Sequence, residues 1–160
     1  MGYFPFFMDI EGKNGLIAGG GRIALHKLQK LLPYGAKLMV VTPRISEELE
    51  QFAHQNDICV INRKFESKDL IDMCFVIAAS DDGEVNAEIG RLCRERGILV
   101  NVVDDRERCS FIFPSCGKHD SGILYSAGGF CKNGGGGIGD CGYGGILPGT
   151  EASPNPGVCL

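Results

Sequence analysis

The sequence has no run of basic residues, and its 16 Lys and Arg are outnumbered by 20 Asp and Glu. Nucleic-acid binding needs a clustered positive surface, so this balance argues against a nucleic-acid partner. Long apolar runs are also missing, since the longest, residues 73–79, is far too short to cross a bilayer. The first seven residues lack the basic start and cleavage site of a signal peptide. We therefore expect a cytoplasmic protein that binds small molecules and not membranes.

The chain contains eight cysteines but no chelating CxxC pair. This spacing favours neither a metal site nor a disulfide framework. A reduced thiol in an apolar segment behaves as a small hydrophobic side chain, so we expect the first five to be reduced and buried. These five are Cys59, Cys74, Cys93, Cys109 and Cys116. The pattern predicts no role for Cys131, Cys141 and Cys159.

A glycine-rich motif follows the first apolar segment. Residues 16–18 are apolar, Gly19-Gly20-Gly21 comes next, and Ala24 opens a helical pattern of apolar residues. A strand, a tight turn and a helix in this order form the setting of the dinucleotide fingerprint, GxGxxA. In that motif the pyrophosphate lies on the N–H groups at the helix start. A glycine turn without a ligand is the alternative, and the strand and helix on either side favour nucleotide binding.

The rest of residues 1–105 alternates between apolar strand patterns and helical patterns. The predicted strands are 16–18, 37–42, 58–61, 73–79 and 98–103. Helices are predicted between them, the last one opening with a capping box at Asp81 and Glu84. Residues 73–79 are apolar at every position, as a strand at the centre of a parallel sheet requires. The pattern predicts an α/β, Rossmann-like open parallel sheet with helices on both faces.

In such a sheet the ligand crevice lies at the carboxyl ends of the strands. Gly19 to Gly21, Ser80-Asp81 and residues 101–105 all fall there in the predicted order. The second strand ends at Thr42-Pro43-Arg44, without the Asp or Glu that binds the ribose hydroxyls in many Rossmann domains. Arg44 would suit a 2′-phosphate, or it is a solvated loop charge. The residues alone leave the choice of nicotinamide cofactor open.

Beyond residue 105 the pattern changes. Residues 109–114 and 122–126 are predicted as two short strands of a separate sheet. In residues 134–160, 10 of the 27 residues are glycine and 3 are proline. A segment of this composition buries too little surface to offset the entropy lost on ordering. We expect an unstructured tail there.

Five blocks of sequence carry a resemblance to a known family. They are MGYFPFF, LIAGGGRIALHK, AASDDGEVN, NVVDDRERCSFIFPS and YSAGG, within residues 1–129. In this order they resemble the precorrin-2 dehydrogenase and sirohydrochlorin ferrochelatase family, the NAD-dependent domain of siroheme synthases. The resemblance implies oxidation of precorrin-2 to sirohydrochlorin with NAD as the acceptor and, in some members, insertion of ferrous iron to give siroheme.

The resemblance also implies roles for individual residues. Asp104 in NVVDD would be the catalytic carboxylate, with Asp105 as its neighbouring competitor, and no residue is implied as a resident metal ligand. Capping of the following turn is the structural alternative for Asp104. The residues expected to border NAD are Gly19, Gly20, Gly21, Arg22, Ile23, Pro43, Arg44, Ser80 and Asp81.

The resemblance divides the chain into three parts. These are an NAD-binding Rossmann domain over 1–113, the start of a dimerisation region over 114–133, and the glycine-rich tail over 134–160. Family members continue beyond the SxGG segment into a dimer-forming region and a helical domain, so a shortened or divergent C-terminus is expected here. The implied partners are a tetrapyrrole substrate, ferrous iron as a substrate, and a second copy of the chain. A non-catalytic NAD sensor or an inactive remnant of the enzyme is the alternative, and a sensor has no chemical need for Asp104.

Overall fold

A parallel sheet of five strands lies in the N-terminal part of the chain. The chain divides into two units, residues 1–111 and 112–160, and this sheet belongs to the first. The computed structural model describes residues 7–113 with their side chains, and the backbone of residues 115–119, 122–126 and 144–148. The strands of the first unit are β1 Asn14–Ala18, β2 Lys37–Val41, β3 Cys59–Ile61, β4 Phe75–Ala78 and β5 Leu99–Val102. Their order in the sheet is β3-β2-β1-β4-β5, which confirms the predicted Rossmann-like α/β fold.

Three α-helices connect these strands: α1 Arg22–Leu31, α2 Glu47–Gln55 and α3 Gly83–Glu95. Helices α1 and α2 contact each other, and α3 packs against β4 and β5. Short 3-10 turns occupy Leu32–Tyr34, Ser67–Leu70 and Arg106–Arg108. None of the helices in the described part of the chain is both long and apolar enough to span a bilayer.

Strand β4 is buried along its whole length, with every side chain at most 3% exposed. It lies between β1 and β5, and both pairings are parallel. A strand in this position has layers packed on both of its faces, which is why its sequence carries no polar residue. The prediction of an apolar strand covered on both faces is confirmed, but the middle strand of the sheet is β1 and not β4.

Two local predictions are wrong. The N-cap of α3 is Asp82 rather than Asp81, and its carboxylate accepts hydrogen bonds from the N–H groups of Glu84 and Val85. Residues 109–113 do not form a strand. Their side chains bind the free edge of β5 instead: Ser110 Oγ accepts from Val100 N–H at 2.7 Å, and Cys109 Sγ accepts from Val102 N–H at 3.2 Å.

None of the four cysteines with described side chains is in a disulfide, and among them only Cys93 is fully buried. Burial raises the pKa of the Cys93 thiol to about 11, so this thiol is unreactive. Cys74 and Cys109 are partly buried, while Cys59 is exposed, which corrects the prediction for that residue. Cys59 lies on β3, at the edge of the sheet. The side chains of Cys116, Cys131, Cys141 and Cys159 lie outside the described residues.

The second unit contains three antiparallel strands: β6 Ser115–His119, β7 Gly122–Ser126 and β8 Gly144–Pro148. Strand β7 lies between the other two. The predicted strand at 122–126 and its separate sheet are confirmed. Strand β8 falls within the glycine-rich segment, and the rest of that segment lies outside the described residues, so the prediction of an unstructured tail stays a prediction.

Acid is expected to destabilise the first unit through the ion pair between Asp69 and Arg63. The guanidinium donates to the two carboxylate oxygens at 2.6 and 2.8 Å, and Asp69 is only 6% exposed. Hydrogen bonding to Arg63 lowers the pKa of Asp69 in the folded state. A lowered folded pKa means that this stabilisation is complete above the unfolded pKa and is lost as the pH falls through the folded pKa.

The Asp69→Asn variant should therefore lose about 2 kcal/mol of unfolding free energy at neutral pH, the usual loss for hydrogen bonds to a charged group. Its stability should also depend less on pH below about pH 4. Urea denaturation over a pH series measures both effects. Glu88→Gln, which breaks an exposed ion pair with Arg91, serves as the control and should change stability little. Equal acid sensitivity of parent and Asp69→Asn would show that other carboxylates dominate.

Candidate functional site

The loops that follow β1, β2, β4 and β5 lie side by side at the carboxyl edge of the sheet. Backbone hydrogen bonds join them: Gly19 N–H to Val41 O at 3.0 Å, and Ala79 N–H to Ala18 O at 2.7 Å. A third bond joins Val103 N–H to Ala78 O at 2.9 Å. Segments that are far apart in the sequence therefore meet at one edge of the sheet, as predicted from their order.

Gly19 and Gly20 allow these loops to approach closely. Gly19 has φ +142°, and a Cβ on it would lie 2.2 Å from the carbonyl oxygen of Ala79. A Cβ on Gly20 would lie 1.9 Å from the carbonyl oxygen of Arg44. Gly20 O also accepts a hydrogen bond from Ser46 N–H at 2.8 Å. Side chains at either position would force the loops apart, so both glycines are required by packing within the protein itself.

Gly21 has a different environment. It is the N-cap of α1, no side chain caps this helix, and its first turn contains no acidic residue. A Cβ on Gly21 would have no atom within 4 Å, so the space beside this residue is open. An uncapped helix start with free N–H groups and open space has the form of a phosphate-binding site. The described residues here fit the pyrophosphate of a dinucleotide.

Four residues predicted to border the cofactor lie in the first turn of α1 and in the loop after β2, next to the glycine turn. Arg22 and Ile23 begin α1 and are exposed, with Ile23 at 47%. Pro43 and Arg44 follow β2 and are exposed as well. The buried Thr42 holds their loop, because its Oγ1 donates to Arg44 O at 2.6 Å. The contact between Arg44 O and Gly20 places this loop against the glycine turn.

Ser80 and Asp81 form the β4–α3 loop on the other side of the glycine turn. Both backbone groups of Ser80 bind the side chain of Asn86: Asn86 Oδ1 accepts from Ser80 N–H at 3.0 Å, and Asn86 Nδ2 donates to Ser80 O at 2.8 Å. Asn86 is 7% exposed, whereas Asp81 is exposed. Sequence reasoning missed Asn86. The available signal was an uncharged polar residue in the first turn of a helix whose neighbours are apolar or charged.

The two neighbouring aspartates after β5 differ in their partners. Asp105 caps the 3-10 turn Arg106–Arg108: its carboxylate accepts from Arg108 N–H at 3.2 Å and forms an ion pair with the Arg108 guanidinium. Asp104 is exposed, has φ +64°, and forms no side-chain hydrogen bond or ion pair with any described residue. Capping, the structural alternative for Asp104, is therefore performed by Asp105. The free carboxylate at the end of β5 is that of Asp104.

Asn101, the first residue of the predicted 101–105 segment, has a structural role instead. Its side chain is 8% exposed, and its Nδ2 donates to Phe111 O at 3.1 Å. Cys109 Sγ also lies against the end of β5, where burial raises its pKa. Together these contacts hold residues 109–111 along the outer edge of β5. No cluster of His, Cys, Asp and Glu suited to a metal ion occurs among the described residues.

Comparison with known proteins identifies related sequences and folds. Residues 6–115 match the family model described as "Putative NAD(P)-binding". The chain is 42% identical to siroheme synthase 1 of Serratia proteamaculans over 115 residues, which cover 72% of this chain and 24% of that protein. It is 39% identical to siroheme synthase of Pseudoalteromonas translucida, with the same coverage. The chain thus spans about a quarter of the length of these relatives.

A solved structure shares the fold. The precorrin-2 dehydrogenase SirC superposes with a TM-score of 0.65 and 25% sequence identity. The superposition covers 75% of this chain and 58% of SirC.

Proposed function

This chain belongs to the NAD(P)-binding family whose model matches residues 6–115, and on that premise we propose that it oxidises precorrin-2 to sirohydrochlorin with NAD. The observation that carries the proposal is that Asp104, whose carboxylate has no partner among the described residues, follows β5 at the same carboxyl edge of the sheet as the glycine turn. The similarity to siroheme synthases and to the precorrin-2 dehydrogenase SirC supports the choice of substrate. Siroheme biosynthesis would be the pathway served.

The NAD site in this proposal consists of the loops around Gly21. The N–H groups at the start of α1 would bind the pyrophosphate, where the helix dipole favours an anion. Pro43 and Arg44 would border one part of the cofactor, and Ser80 and Asp81 another. The remaining members of the site are Gly19, Gly20, Arg22 and Ile23. When bound, NAD supplies the acceptor for the hydride of the substrate.

Asp104 would take the proton that oxidation of precorrin-2 releases. Each oxidation transfers two electrons and one proton to the cofactor as a hydride and leaves one proton to be removed by a base. A carboxylate that has no partner among the described residues and lies at the end of a strand is suited to accept that proton. Asp105 is less suited, because Arg108 already neutralises its charge.

Further parts of the proposal concern iron and assembly. Ferrous iron would enter as a substrate in a ferrochelatase step, with Asp104 accepting the pyrrole protons that the metal displaces. The chain would act as a homodimer in the cytoplasm. Support for these parts comes from the resemblance of the sequence blocks to the siroheme synthase family.

Mixing the protein with precorrin-2 and NAD under anaerobic conditions tests the proposal. We expect the absorbance of sirohydrochlorin to appear together with one NADH for each precorrin-2 consumed. The same titration with NADP measures how far Arg44, in place of the usual acidic residue after β2, admits a 2′-phosphate. NAD binding without turnover would indicate a non-catalytic sensor, and absence of NAD binding would overturn the proposal altogether.

A further inference from the structure

We propose that Asn86 is a positioning residue of the dinucleotide site, acting through the backbone of Ser80. The inference rests on the proposed function of the crevice as an NAD site. The side chain of Asn86 binds the backbone N–H of Ser80 at 3.0 Å and the backbone carbonyl of Ser80 at 2.8 Å. One side chain therefore fixes both backbone polar groups of Ser80. A side-chain amide is suited to this role because it presents an acceptor and a donor side by side.

We call the two hydrogen bonds between Asn86 and Ser80 the clamp. The position of Ser80 connects this clamp to the glycine turn. A Cβ on Gly19 would lie 3.0 Å from Ser80 N and 2.2 Å from Ala79 O, so the Ser80 backbone is in direct contact with the turn. Movement of Ser80 by a fraction of an ångström would therefore be transmitted to Gly19. The clamp sets the distance between the β4–α3 loop and the turn that precedes the open start of α1.

The same loop is closed by further hydrogen bonds at its far end. Ser80 Oγ accepts from Asp82 N–H at 3.1 Å, and Asn86 N–H donates to Asp82 O at 3.1 Å. Asp81 lies within this closed loop and is exposed. Asn86 thus orders the segment that presents Ser80 and Asp81, although its own side chain is buried and faces the Ser80 backbone.

Two variants of Asn86 separate positioning from simple structural support. Asn86→Leu removes both hydrogen bonds and should weaken NAD binding about tenfold, which corresponds to about 1.4 kcal/mol. Asn86→Asp keeps the acceptor but can donate to Ser80 O only when its carboxyl group is protonated. Burial and the carbonyl of Ser80 favour the protonated form and raise the pKa of such a carboxyl, whereas the Ser80 N–H and the N-terminal end of α3 favour the charged form.

NAD affinity of Asn86→Asp should therefore be weak at about pH 8 and should approach the parental value at about pH 5.5, as the carboxyl becomes protonated. The parent should show no matching change between these pH values. Isothermal titration with NAD gives the affinities, and thermal unfolding at both pH values reports the folded fraction. Asn56→Asp is the matched control, because Asn56 makes one exposed hydrogen bond at the end of α2, away from the crevice.

The outcomes separate the inference from the proposed function. If the parent does not bind NAD, the proposed function fails. If the parent binds NAD and folded Asn86→Leu binds it equally well, only the inference fails. Should Asn86→Leu not fold, Asn86→Asp decides the matter: affinity for NAD at about pH 8 that equals the parental value, or that falls no more than in Asn56→Asp, would overturn the positioning role.

Discussion

Replacing Asp104 with asparagine is expected to lower the rate of precorrin-2 oxidation by about a hundred- to ten-thousand-fold, the usual contribution of a positioned general base. The affinity for NAD should change little, because the Asp104 side chain does not contact the glycine turn in the proposed site. Asparagine is preferred to alanine here, since Asp104 has φ +64° and asparagine tolerates the left-handed region well. The variant therefore removes the base while it preserves the backbone.

The measurement is a comparison of kcat and of NAD affinity between the parent and Asp104→Asn. Asp57→Asn is a matched control, because Asp57 is also exposed and also has a positive φ, of 53°, but lies in the loop between α2 and β3. It should retain the parental rate. If Asp104→Asn also retained it, the proton would have to be taken by another residue, and if NAD binding were lost instead, Asp104 would belong to the cofactor site.

Substituting Gly21 with valine is expected to weaken NAD binding by about a hundredfold or more, in line with the few kcal/mol at stake when a buried anion loses its donors. The valine side chain would point into the open space beside this residue, where the pyrophosphate is proposed to bind. Because no atom lies within 4 Å of that Cβ position and φ is −97°, the variant should fold normally. Loss of binding would then reflect obstruction of the site.

Gly20→Ala provides the contrast. Its Cβ would lie 1.9 Å from Arg44 O, so this smaller substitution should lower the thermal stability of the unliganded protein more than Gly21→Val, which loses only the preference of a helix N-cap for glycine over valine. Calorimetric titration with NAD and thermal unfolding without NAD distinguish the two effects. Parental NAD affinity in Gly21→Val would mean that the pyrophosphate lies elsewhere in the crevice.

The order of strands and helices along the chain, and the sheet edge at which the strand ends meet, follow from local patterns. The uninterrupted apolar segment at 73–79 predicted the buried strand β4, because a strand covered on both faces can carry no polar side chain. The glycine motif between an apolar strand and an amphipathic helix predicted the turn before α1. Patterns of this kind depend on neighbours along the chain, so they are visible without a structure.

Two local predictions failed, one at the start of α3 and one at residues 109–113. Asp81 and Asp82 can each cap a helix, and in the structure the carboxylate of Asp82 accepts the N–H groups of Glu84 and Val85. Residues 109–113 have the composition of a strand. Their thiol and hydroxyl groups bind the edge of β5 directly, and no periodicity in the sequence indicates such a contact.

The sequence by itself determined the order of strands and helices, the glycine turn, and the meeting of strand ends at one edge, because periodicity and turn chemistry act over a few residues. Only the tertiary structure decided that Gly20 is needed for the approach of Arg44, that Asn86 holds Ser80, and that Asp104 is the free carboxylate. These features depend on distances between segments that become neighbours only when β1, β2, β4 and β5 lie in one sheet. Their physical basis is close packing and hydrogen bonding across the sheet edge, which a linear pattern does not encode.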